Sequence, residues 1–479
     1  MAIKTSIPSS RLRPGNTQEF NYKQASKGLT PTQKLIGIVG CKLTAAPATV
    51  EKPYSIFSEK DGDDLFGAGS EVAIMIRAAF AAANKIRSQP QIIACGIAEP
   101  GGGTIATKTI TITGPATASG DLEVRICGRT IRCTVTNADV ANTIAAALKA
   151  AVDAYQAVEP LIVTATVATN VVTLTCRHKG VNGNDVKIDW ASGPLGVSLA
   201  IAAGVTATGS YDITLSLDAI NPGKTCHGIA IANHLATDVS DFKAHLGNVG
   251  DPAVKKWTTC FLAEIGSVAT TTSLATGSND LGVQLLAYRN SKLLPGELAA
   301  QACLANWAID DPAANFDGFE LPIFPVDTPD AYLNSEIEVL LAAGCTPLVP
   351  TDSGTTSKIV RSVTTKTTEA SVAFLALLDL STVKAMYYVA TQLDIKLTLA
   401  FQGLDAKMTP EVPAQVEDVA YAVLKQIESL KIVKNVDANR SQIRCETDAV
   451  VPTRANLAYP LAPILNLHQL AAVGNLIVG

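Results

Sequence analysis

Near the start of the chain, the pattern of apolar and polar positions predicts a strand, a helix and a second strand. Residues 34–40 (KLIGIVG) and 91–97 (QIIACGI) are short apolar runs typical of buried strands. Between them, Ser70 is a plausible N-cap for a helix from Glu71 to about Arg87. That helix is apolar nearly all round, so it should be buried on several sides. The order strand, helix, strand predicts an α/β layer.

The pattern changes after the sequence EPGGG at residues 99–103, which indicates a break in the chain. Apolar residues now recur every second position, as in a hairpin over residues 122–135 with a turn at Gly128-Arg129. A helix with apolar positions four apart follows, from Val140 to Tyr155, and then strands over residues 161–167, 171–177 and 186–190. We predict that residues 101–207 form a β-rich domain inserted into the α/β layer.

The α/β pattern returns near residue 211. Predicted strands cover residues 228–232, 259–264, 283–288 and 347–350, and predicted helices include 296–307 and 334–343. Residues 29–100 and 208–369 are therefore predicted to form one discontinuous α/β domain.

A third unit is predicted over residues 370–454, with an α+β composition. Helical patterns cover 371–393 and the residues after Pro413, and strand-like patterns cover 396–401 and 443–446. The helix after Pro413 has one continuous apolar face, so it should pack on other elements of this domain.

Both ends of the chain lack the means to bury a core of their own. Residues 1–28 contain isolated apolar positions among Pro and Gly, so we predict an N-terminal arm. Residues 455–479 contain Pro460 and Pro463 but are otherwise too apolar for a free tail. We predict that they form a C-terminal arm that something else covers.

Composition excludes some classes of function. The 479 residues carry a net charge of −5, so nucleic-acid binding has no electrostatic support. Only 17% of residues are charged, against roughly 25% in ordinary soluble domains. This favours a surface hidden against other subunits, although a large Ala-rich monomer would have the same composition.

Neither membrane insertion nor secretion is predicted. The longest apolar stretch, Val72–Ile86, contains Arg77 and Asn84 and is too short to span a bilayer. The first residues lack the apolar core of a secretory signal, so synthesis in a cytoplasm is expected. The ten cysteines are scattered with no CxxC pair, and we expect them to be small buried apolar residues.

Two short motifs resemble catalytic or phosphate-binding signatures without completing them. Asn221–Thr225 (NPGKT) ends like a phosphate-binding loop, but Asp218 stands where that loop needs its first glycine. Ser381 and Lys384 form an SxxK pair, but the SDN and KTG elements of such hydrolases are absent from the sequence. A turn before a strand and a chance match are the better interpretations.

Metal binding is not predicted either. The five histidines, at positions 178, 227, 234, 245 and 468, form no HExxH motif and no zinc-like spacing with cysteine. The acidic stretch of Asp61, Asp63 and Asp64 lacks the spacing of a calcium loop, and we expect a solvated turn there. The sequence therefore predicts no catalytic, cofactor-binding or metal-binding residue and no cofactor, and we expect that the protein is not an enzyme.

Several strings resemble the tail sheath proteins of Mu-like contractile-tailed bacteriophages or related tailocins and prophages. They are Ile7–Gly15 (IPSSRLRPG), Asp64–Ala82 (DLFGAGSEVAIMIRAAFAA), Arg177–Asp185 (RHKGVNGND), Arg361–Thr367 (RSVTTKT) and the apolar C-terminal tail. Their order spans nearly the whole chain. Each string alone is only moderately specific, and the resemblance depends mainly on their order along the chain.

The resemblance implies a structural subunit that polymerises as stacked six-fold rings around an inner tail tube and contracts. It implies that residues 370–454 face the tube and that both arms complete β-sheets of neighbouring copies. The implied partners are further copies of the chain, the tail tube protein, and baseplate and tail-terminator proteins, with no nucleic acid and no membrane insertion. The implied location is the virion tail, assembled in the host cytoplasm.

Two other classes of function stay open. The inserted β-rich domain is also compatible with another virion component, such as a baseplate or adhesin protein. The βαβ pattern alone is compatible with an α/β enzyme, since fold does not decide function.

Overall fold

The computed structural model describes residues 34–221, 225–403 and 407–470. The predicted N-terminal arm, residues 1–28, lies outside this range, as do residues 471–479 of the predicted C-terminal arm. The described residues fall into two units, a larger one over residues 34–387 with 465–470, and a smaller one over residues 388–464. The predicted mixed α/β, multidomain class is confirmed.

Twenty strands are present in the described chain. In order they are β1 (Leu35–Cys41), β2 (Pro53–Ile56), β3 (Gln91–Ile97), β4 (Ile105–Thr113), β5 (Gly120–Ile126), β6 (Arg129–Val135), β7 (Val163–Ala168), β8 (Val171–Lys179), β9 (Ile188–Ser192), β10 (Ser198–Ala203), β11 (Gly228–Ile231), β12 (Thr259–Glu264), β13 (Val283–Ala287), β14 (Glu320–Leu321), β15 (Cys345–Pro350), β16 (Ser357–Ile359), β17 (Thr368–Glu369), β18 (Val372–Ala373), β19 (Arg444–Thr447) and β20 (Ala455–Ala458).

Ten α-helices accompany them in the same residues. They are α1 (Glu59–Phe66), α2 (Glu71–Ile86), α3 (Ala141–Val158), α4 (Thr214–Ile220), α5 (Ala236–Val249), α6 (Val268–Ser278), α7 (Pro295–Ala308), α8 (Asn334–Ala342), α9 (Leu380–Phe401) and α10 (Val412–Ser429).

A nine-stranded sheet forms the base of the larger unit. Its strand order is β14-β16-β15-β13-β12-β11-β1-β3-β2. The six strands from β15 to β3 are parallel. At the two edges, β2 pairs antiparallel with β3, β16 with β15, and β14 with β16. Every residue of β1, β11, β12 and β13 is buried, as expected for parallel strands covered on both faces. Residues from both sides of the predicted insertion therefore share one sheet.

Helices α2 and α7 pack closely against each other over this sheet. Every residue of α7 is buried, and α2 is buried along most of its length, which confirms the prediction for α2. A Cβ atom added at Gly296 would lie 2.9 Å from the Met75 sulfur, so the glycine permits the close approach.

Two smaller sheets lie between β3 and β11 in the chain. One has the order β10-β4-β8-β7 and the other β6-β5-β9. The predicted hairpin over residues 122–135 is confirmed as β5–β6, in which Leu122 pairs with Cys133 and Val124 with Ile131. Helix α3 covers this region with Ile144, which is fully buried.

The chain enters and leaves this segment at one narrow junction. The Thr104 amide donates to the Thr208 carbonyl at 3.1 Å, and the two threonine hydroxyls lie 3.0 Å apart. Gly209 has φ +100°, and a Cβ atom there would lie 2.8 Å from the Gly103 Cα atom. Glycine is therefore required where the two strands of chain cross. The predicted domain boundaries at 101 and 207 stay a prediction.

Two ion pairs join the segment to the rest of the larger unit, Arg129 with Glu297 and Lys292 with Asp189. Arg129 donates to Glu297 at 2.8 Å and to Glu159 at 3.2 Å, and the Glu297 side chain is 2% exposed. Lys292 lies between Asp189, at 2.9 Å, and Asp327, at 2.6 Å. These contacts fix the segment in place rather than leaving it on a loose tether.

The smaller unit is built on α10 and the two-stranded sheet β19–β20. The buried face of α10 consists of Val416, Ala420, Val423, Leu424 and Ile427, which confirms the predicted apolar face. This face supplies the buried side of the unit, while β19 and β20 stay partly or fully exposed.

Two local predictions are wrong. The strand predicted over residues 396–401 is the last part of α9, and residues 371–379 before α9 are not helical. The acidic stretch 61–64 is part of helix α1, not a solvated turn. Ser58 and Asp61 form a capping box at its start, and Asp63 pairs with Arg77 of α2.

Candidate assembly interface

The SxxK pair does not form a nucleophile and base in the described structure. The Lys384 ammonium donates to the Asn306 carbonyl and lies 5.1 Å from the ring centroids of Trp307 and Phe316. Burial lowers the pKa of Lys384 to about 7. The Ser381 hydroxyl instead accepts a hydrogen bond from the Asn466 side chain at 2.9 Å. Lys384 is therefore a buried packing residue.

The partial phosphate-loop motif lies mostly outside the described residues, since 222–224 are not described. Its first residue, Asn221, is buried and accepts from the Cys226 amide at 2.9 Å. His245 contacts Asn221 at 3.0 Å and Asp218 at 3.2 Å. These side chains are engaged in holding the turn.

Two further histidines of the larger unit contact protein groups. His178 contacts the Tyr211 hydroxyl at 3.0 Å, and His227 accepts from the Leu35 amide at 3.2 Å. Burial lowers the pKa of His227 to about 4. Across residues 34–221, 225–403 and 407–470, no cluster of three or more His, Cys, Asp or Glu side chains could hold a metal ion.

A cavity of about 490 Å³ lies beside α5 and α6, at the carboxyl ends of β11 and β12. His234 lines it and lies 3.8 Å from both Asp185 and Glu264. The Ser240 hydroxyl in its wall donates to the Ala236 carbonyl at 3.1 Å, away from His234. The cavity thus has the position of a ligand site in an α/β sheet, but its serine and histidine are not coupled.

The β19–β20 hairpin is a two-stranded sheet in the smaller unit. Its register pairs Arg444 with Ala458 and Cys445 with Leu457. Neither strand has a further partner among the described residues. The hairpin therefore has two edges at which another strand could add.

Helix α10 closes one of these edges. The Cys445 amide donates to the Glu417 carboxylate at 2.7 Å, so it points away from β20. In an antiparallel pair this makes Cys445 and Leu457 the non-hydrogen-bonded pair, and the backbone groups of Leu457 point outward on the other side. Within the described ranges, no third strand pairs with the β20 edge.

A structured loop fixes the tip of the hairpin. The Asp448 amide donates to the Arg454 carbonyl at 2.8 Å, and the Asp448 carboxylate accepts from Asn456, Val450 and Val451. These hydrogen bonds, that of Asn456 foremost, lower the pKa of Asp448 to about 2. Val450 is strongly exposed at the tip.

After β20, the chain forms backbone hydrogen bonds to residues of the smaller unit as far as Ile464. The Lys434 amide donates to the Ala462 carbonyl at 2.9 Å, and the Ile464 amide donates to the Ile432 carbonyl at 3.0 Å. The predicted arm boundary at Ala455 stays a prediction. In the structure, Ala455–Ala458 pair with β19.

Residues 465–470, which we name the strap, contact the larger unit. His468 lies between two carboxylates, with Nδ1 2.5 Å from Asp317 and Nε2 3.1 Å from Asp379. Leu465, Leu467 and Leu470 in the strap are 62%, 77% and 86% exposed. Asn466 and His468 of the strap thus contact the larger unit, and its leucines are mostly exposed.

Comparison with known proteins gives one curated relative and several solved structures. The chain is 28% identical over 353 residues to the Mu-like prophage FluMu tail sheath protein of Haemophilus influenzae, covering 71% of this chain and 69% of that protein. The predicted resemblance to Mu-like tail sheath proteins is confirmed. No family model matches the chain.

Two solved structures have a similar fold. A sheath tail protein from Listeria innocua matches with a TM-score of 0.53 and 11% identity, over 92% of this chain and 94% of that one. A chain of the anti-feeding prophage baseplate matches with a TM-score of 0.51 and 9% identity, over 99% of this chain and 100% of that one. At these identities the two matches support the fold alone.

The groups that shape the hairpin and the strap could not be found from the sequence, because they are far apart along the chain. Glu417 lies 28 residues from Cys445, and Asp317 lies 151 residues from His468. The signal available in the sequence was the alternation of Leu465, Asn466, Leu467 and His468, which is typical of an extended segment with two unlike faces.

Proposed function

We propose that this chain is the structural subunit of a contractile tail sheath and that it is not an enzyme. It would polymerise as stacked rings around an inner tail tube and contract to drive the tube through the host envelope. The open β20 edge supports this proposal most directly, because it offers a neighbouring chain a place to add a strand. The tail sheath relative supports the structural role.

Strand addition suits the open edge physically. The outward backbone groups of Leu457 can pair with any extended segment, since main-chain hydrogen bonds make little demand on sequence. Closure of the Cys445 side by Glu417 directs the incoming strand to β20. We infer that the incoming strand is an arm of a second copy, from residues 1–28 or from the end of the chain.

Such contacts lead to open polymers. Each copy donates one kind of surface and accepts another, and heterologous contacts of this kind grow helices when the rotation does not close. Contraction would then be a switch between two packings of the same subunits, with the arms as links that keep the lattice joined. Energy stored at assembly would make a bound nucleotide unnecessary.

The proposed partners follow from this role. They are further copies of the chain, the tail tube protein, and baseplate and tail-terminator proteins, with residues 370–454 facing the tube. The proposed location is the virion tail, with assembly in the host cytoplasm. None of the described helices is long and apolar enough to cross a membrane.

The test uses electron microscopy of the purified full chain, which should show tubes or stacked rings. Leu457→Pro should abolish them, because proline removes the outward amide without breaking the β19–β20 ladder. Leu457→Ala is the matched control and should still polymerise, since it keeps the amide. A wild-type protein that stays monomeric at high concentration would overturn the proposal.

Two alternatives would give different results. A baseplate or adhesin component would be present at a low fixed copy number per particle, whereas a sheath subunit would be present in hundreds of copies. An α/β enzyme would bind a small ligand in the cavity beside α5 and α6. Purified particles and the subunit count per particle distinguish the first alternative from the sheath.

A further inference from the structure

Strand β10 forms one edge of the four-stranded sheet in the segment between β3 and β11. It pairs with β4 on one side, and within the described ranges no strand pairs with its other side. Along the strand only Leu199 is half-buried, and its other residues are exposed. An edge strand of this kind presents unpaired backbone N–H and C=O groups, to which another chain can add a strand.

The register identifies the backbone groups of β10 that face away from β4. The Ile112 amide donates to the Asn170 carbonyl at 2.9 Å, so the backbone groups of Ile112 point to the β8 side of β4. Leu199 lies opposite Ile112, and these two residues are therefore a non-hydrogen-bonded pair. Because the two kinds of pair alternate along an antiparallel ladder, Ile201 and Ile110 form another such pair. The backbone groups of Leu199 and Ile201 thus point outward at the free edge.

The side chains of the same two residues extend the apolar face of the sheet to its edge. Residues directly opposite each other in an antiparallel pair share a face, so Leu199 and Ile201 lie on the face of Ile112 and Ile110. Ile110 and Ile112 are buried in the core of the segment, whereas Ile201 is 37% exposed. An added strand would cover this part of the face, and burial of its apolar surface would favour the pairing.

The free edge of β10 carries no charge. No charged residue occurs from Ala191 to Tyr211. Natural edge strands commonly contain lysine or another charged residue, which opposes pairing with a second copy. In the neighbouring three-stranded sheet, the edge strand β6 contains Arg129 and Arg132, and β9 contains Asp189. Two β10 strands can therefore approach each other without repulsion between like charges.

We propose that β10 is a self-association strand, which pairs antiparallel with β10 of a second copy and joins the two four-stranded sheets. The two-fold axis passes between the Ile201 residues of the two copies, and Leu199 of each copy lies opposite Ala203 of the other. This register pairs outward backbone groups with each other and continues the apolar face across the axis. Such a contact is isologous and closes on itself, so it forms dimers without extending a polymer. It is independent of the proposed sheath function, which uses the β20 edge.

The first measurement is analytical ultracentrifugation of the full chain carrying Leu457→Pro, in which growth at the β20 edge is removed. This protein should show a monomer–dimer equilibrium between micromolar and millimolar concentrations, as expected of a small interface. Adding Ile201→Pro should raise the dimer dissociation constant by about tenfold or more, because proline removes an outward amide and leaves the hydrogen bonds to β4 intact. Ile201→Val keeps this amide, and as the matched control it should dimerise like the parent protein.

The second measurement tests the register with opposite charges at one position. Ile201→Lys and Ile201→Glu should each be monomeric, because two like charges would lie directly opposite each other across the axis. An equimolar mixture should dimerise again, since the two variants then place opposite charges across the axis. This recovery also shows that both variants are folded. Thr166→Lys, at an exposed position on the other edge strand of the same sheet, is the control and should leave the dimer unchanged.

The outcomes separate this proposal from the sheath function. A Leu457→Pro protein that stays monomeric at all concentrations would overturn the dimer, as would dimers that persist in both charged variants. A mixture that stays monomeric would overturn the two-fold register. Ile201→Lys in the otherwise native chain should form the same tubes as the wild type, and loss of these tubes would overturn a contact that is separate from polymer growth. A wild type without tubes would contradict the sheath function and leave the β10 dimer standing.

Discussion

The Glu417 carboxylate accepts a hydrogen bond from the Cys445 amide at 2.7 Å, and this contact closes one edge of the hairpin. Glu417→Ala should leave that amide without a partner and lower the free energy of unfolding by about 1–2 kcal/mol. Glu417→Gln should lose less, because its side-chain oxygen can still accept. Urea unfolding followed by circular dichroism measures both.

The same substitution should alter assembly. Opening the β19 edge gives the hairpin two competing sites for an added strand, so Glu417→Ala polymers should be less regular. Electron microscopy of wild type and Glu417→Ala, prepared side by side, measures the difference. Identical, well-ordered polymers would show that the carboxylate does not direct the incoming strand.

Deletion of residues 470–479 tests the predicted C-terminal arm. The shortened chain should stay folded, because β20 and the strap residue His468 are retained. It should not polymerise if the deleted residues supply the strand added to a neighbour. Thermal unfolding and electron microscopy are the two measurements, and polymers of normal length would contradict the arm.

The Arg129–Glu297 ion pair should contribute strongly to stability. Glu297→Ala leaves a largely buried guanidinium with the Glu159 carboxylate and the Cys127 carbonyl as its partners, so we expect a loss of about 3 kcal/mol. The exposed pair of Arg132 and Glu123 is the matched control, and Arg132→Ala should cost less than about 1 kcal/mol. Denaturant unfolding of both variants measures the difference, and equal losses would contradict it.

Lys384 should give the stability of the larger unit a distinct pH dependence. Its pKa is about 7 in the folded chain and about 10.4 when unfolded, so the folded state binds fewer protons between these values. The free energy of unfolding therefore rises with pH across this window, by up to about 4 kcal/mol. In Lys384→Met this rise should be absent.

The measurement is the difference between the unfolding free energies of wild type and Lys384→Met at several pH values from about 7 to about 10. Lys60 is the control, because it is exposed and the hydrogen bond to Asp64 raises its pKa. Lys60→Met should not remove the rise. A flat difference for Lys384→Met would show that the ammonium stays charged in the folded chain.

Elements with a strong local pattern could be predicted from the sequence. The apolar run at 34–40 is β1, because a strand buried on both faces needs apolar residues at nearly every position. Helix α10 was predicted for the same kind of reason, since its apolar face repeats with helical period.

Elements decided by tertiary context could not be predicted in this way. In residues 396–401 (KLTLAF), apolar and polar positions alternate as in a strand, but these residues form the end of α9. A short run of this kind does not distinguish a strand from a helix. For α1, the sequence held a usable signal in Ser58 and Asp61, which form a capping box before the acidic stretch.

The candidate interface was predictable only in outline. An apolar C-terminal segment that needs cover is visible in the sequence. The closed β19 edge and the contacts of His468 depend on residues that are far apart in the sequence and meet only in the folded chain. Their spacing therefore does not predict these contacts.

The junction at Thr104 and Thr208 also makes the chain a natural host for grafted modules. The two ends of the intervening segment lie within one hydrogen bond of each other, so another domain with adjacent termini could be spliced in there. Such a graft must also cover Ile74 and Leu294, which are buried in the same apolar cluster as the present segment. A foreign domain inserted at this junction would therefore need an apolar surface that packs on these two residues.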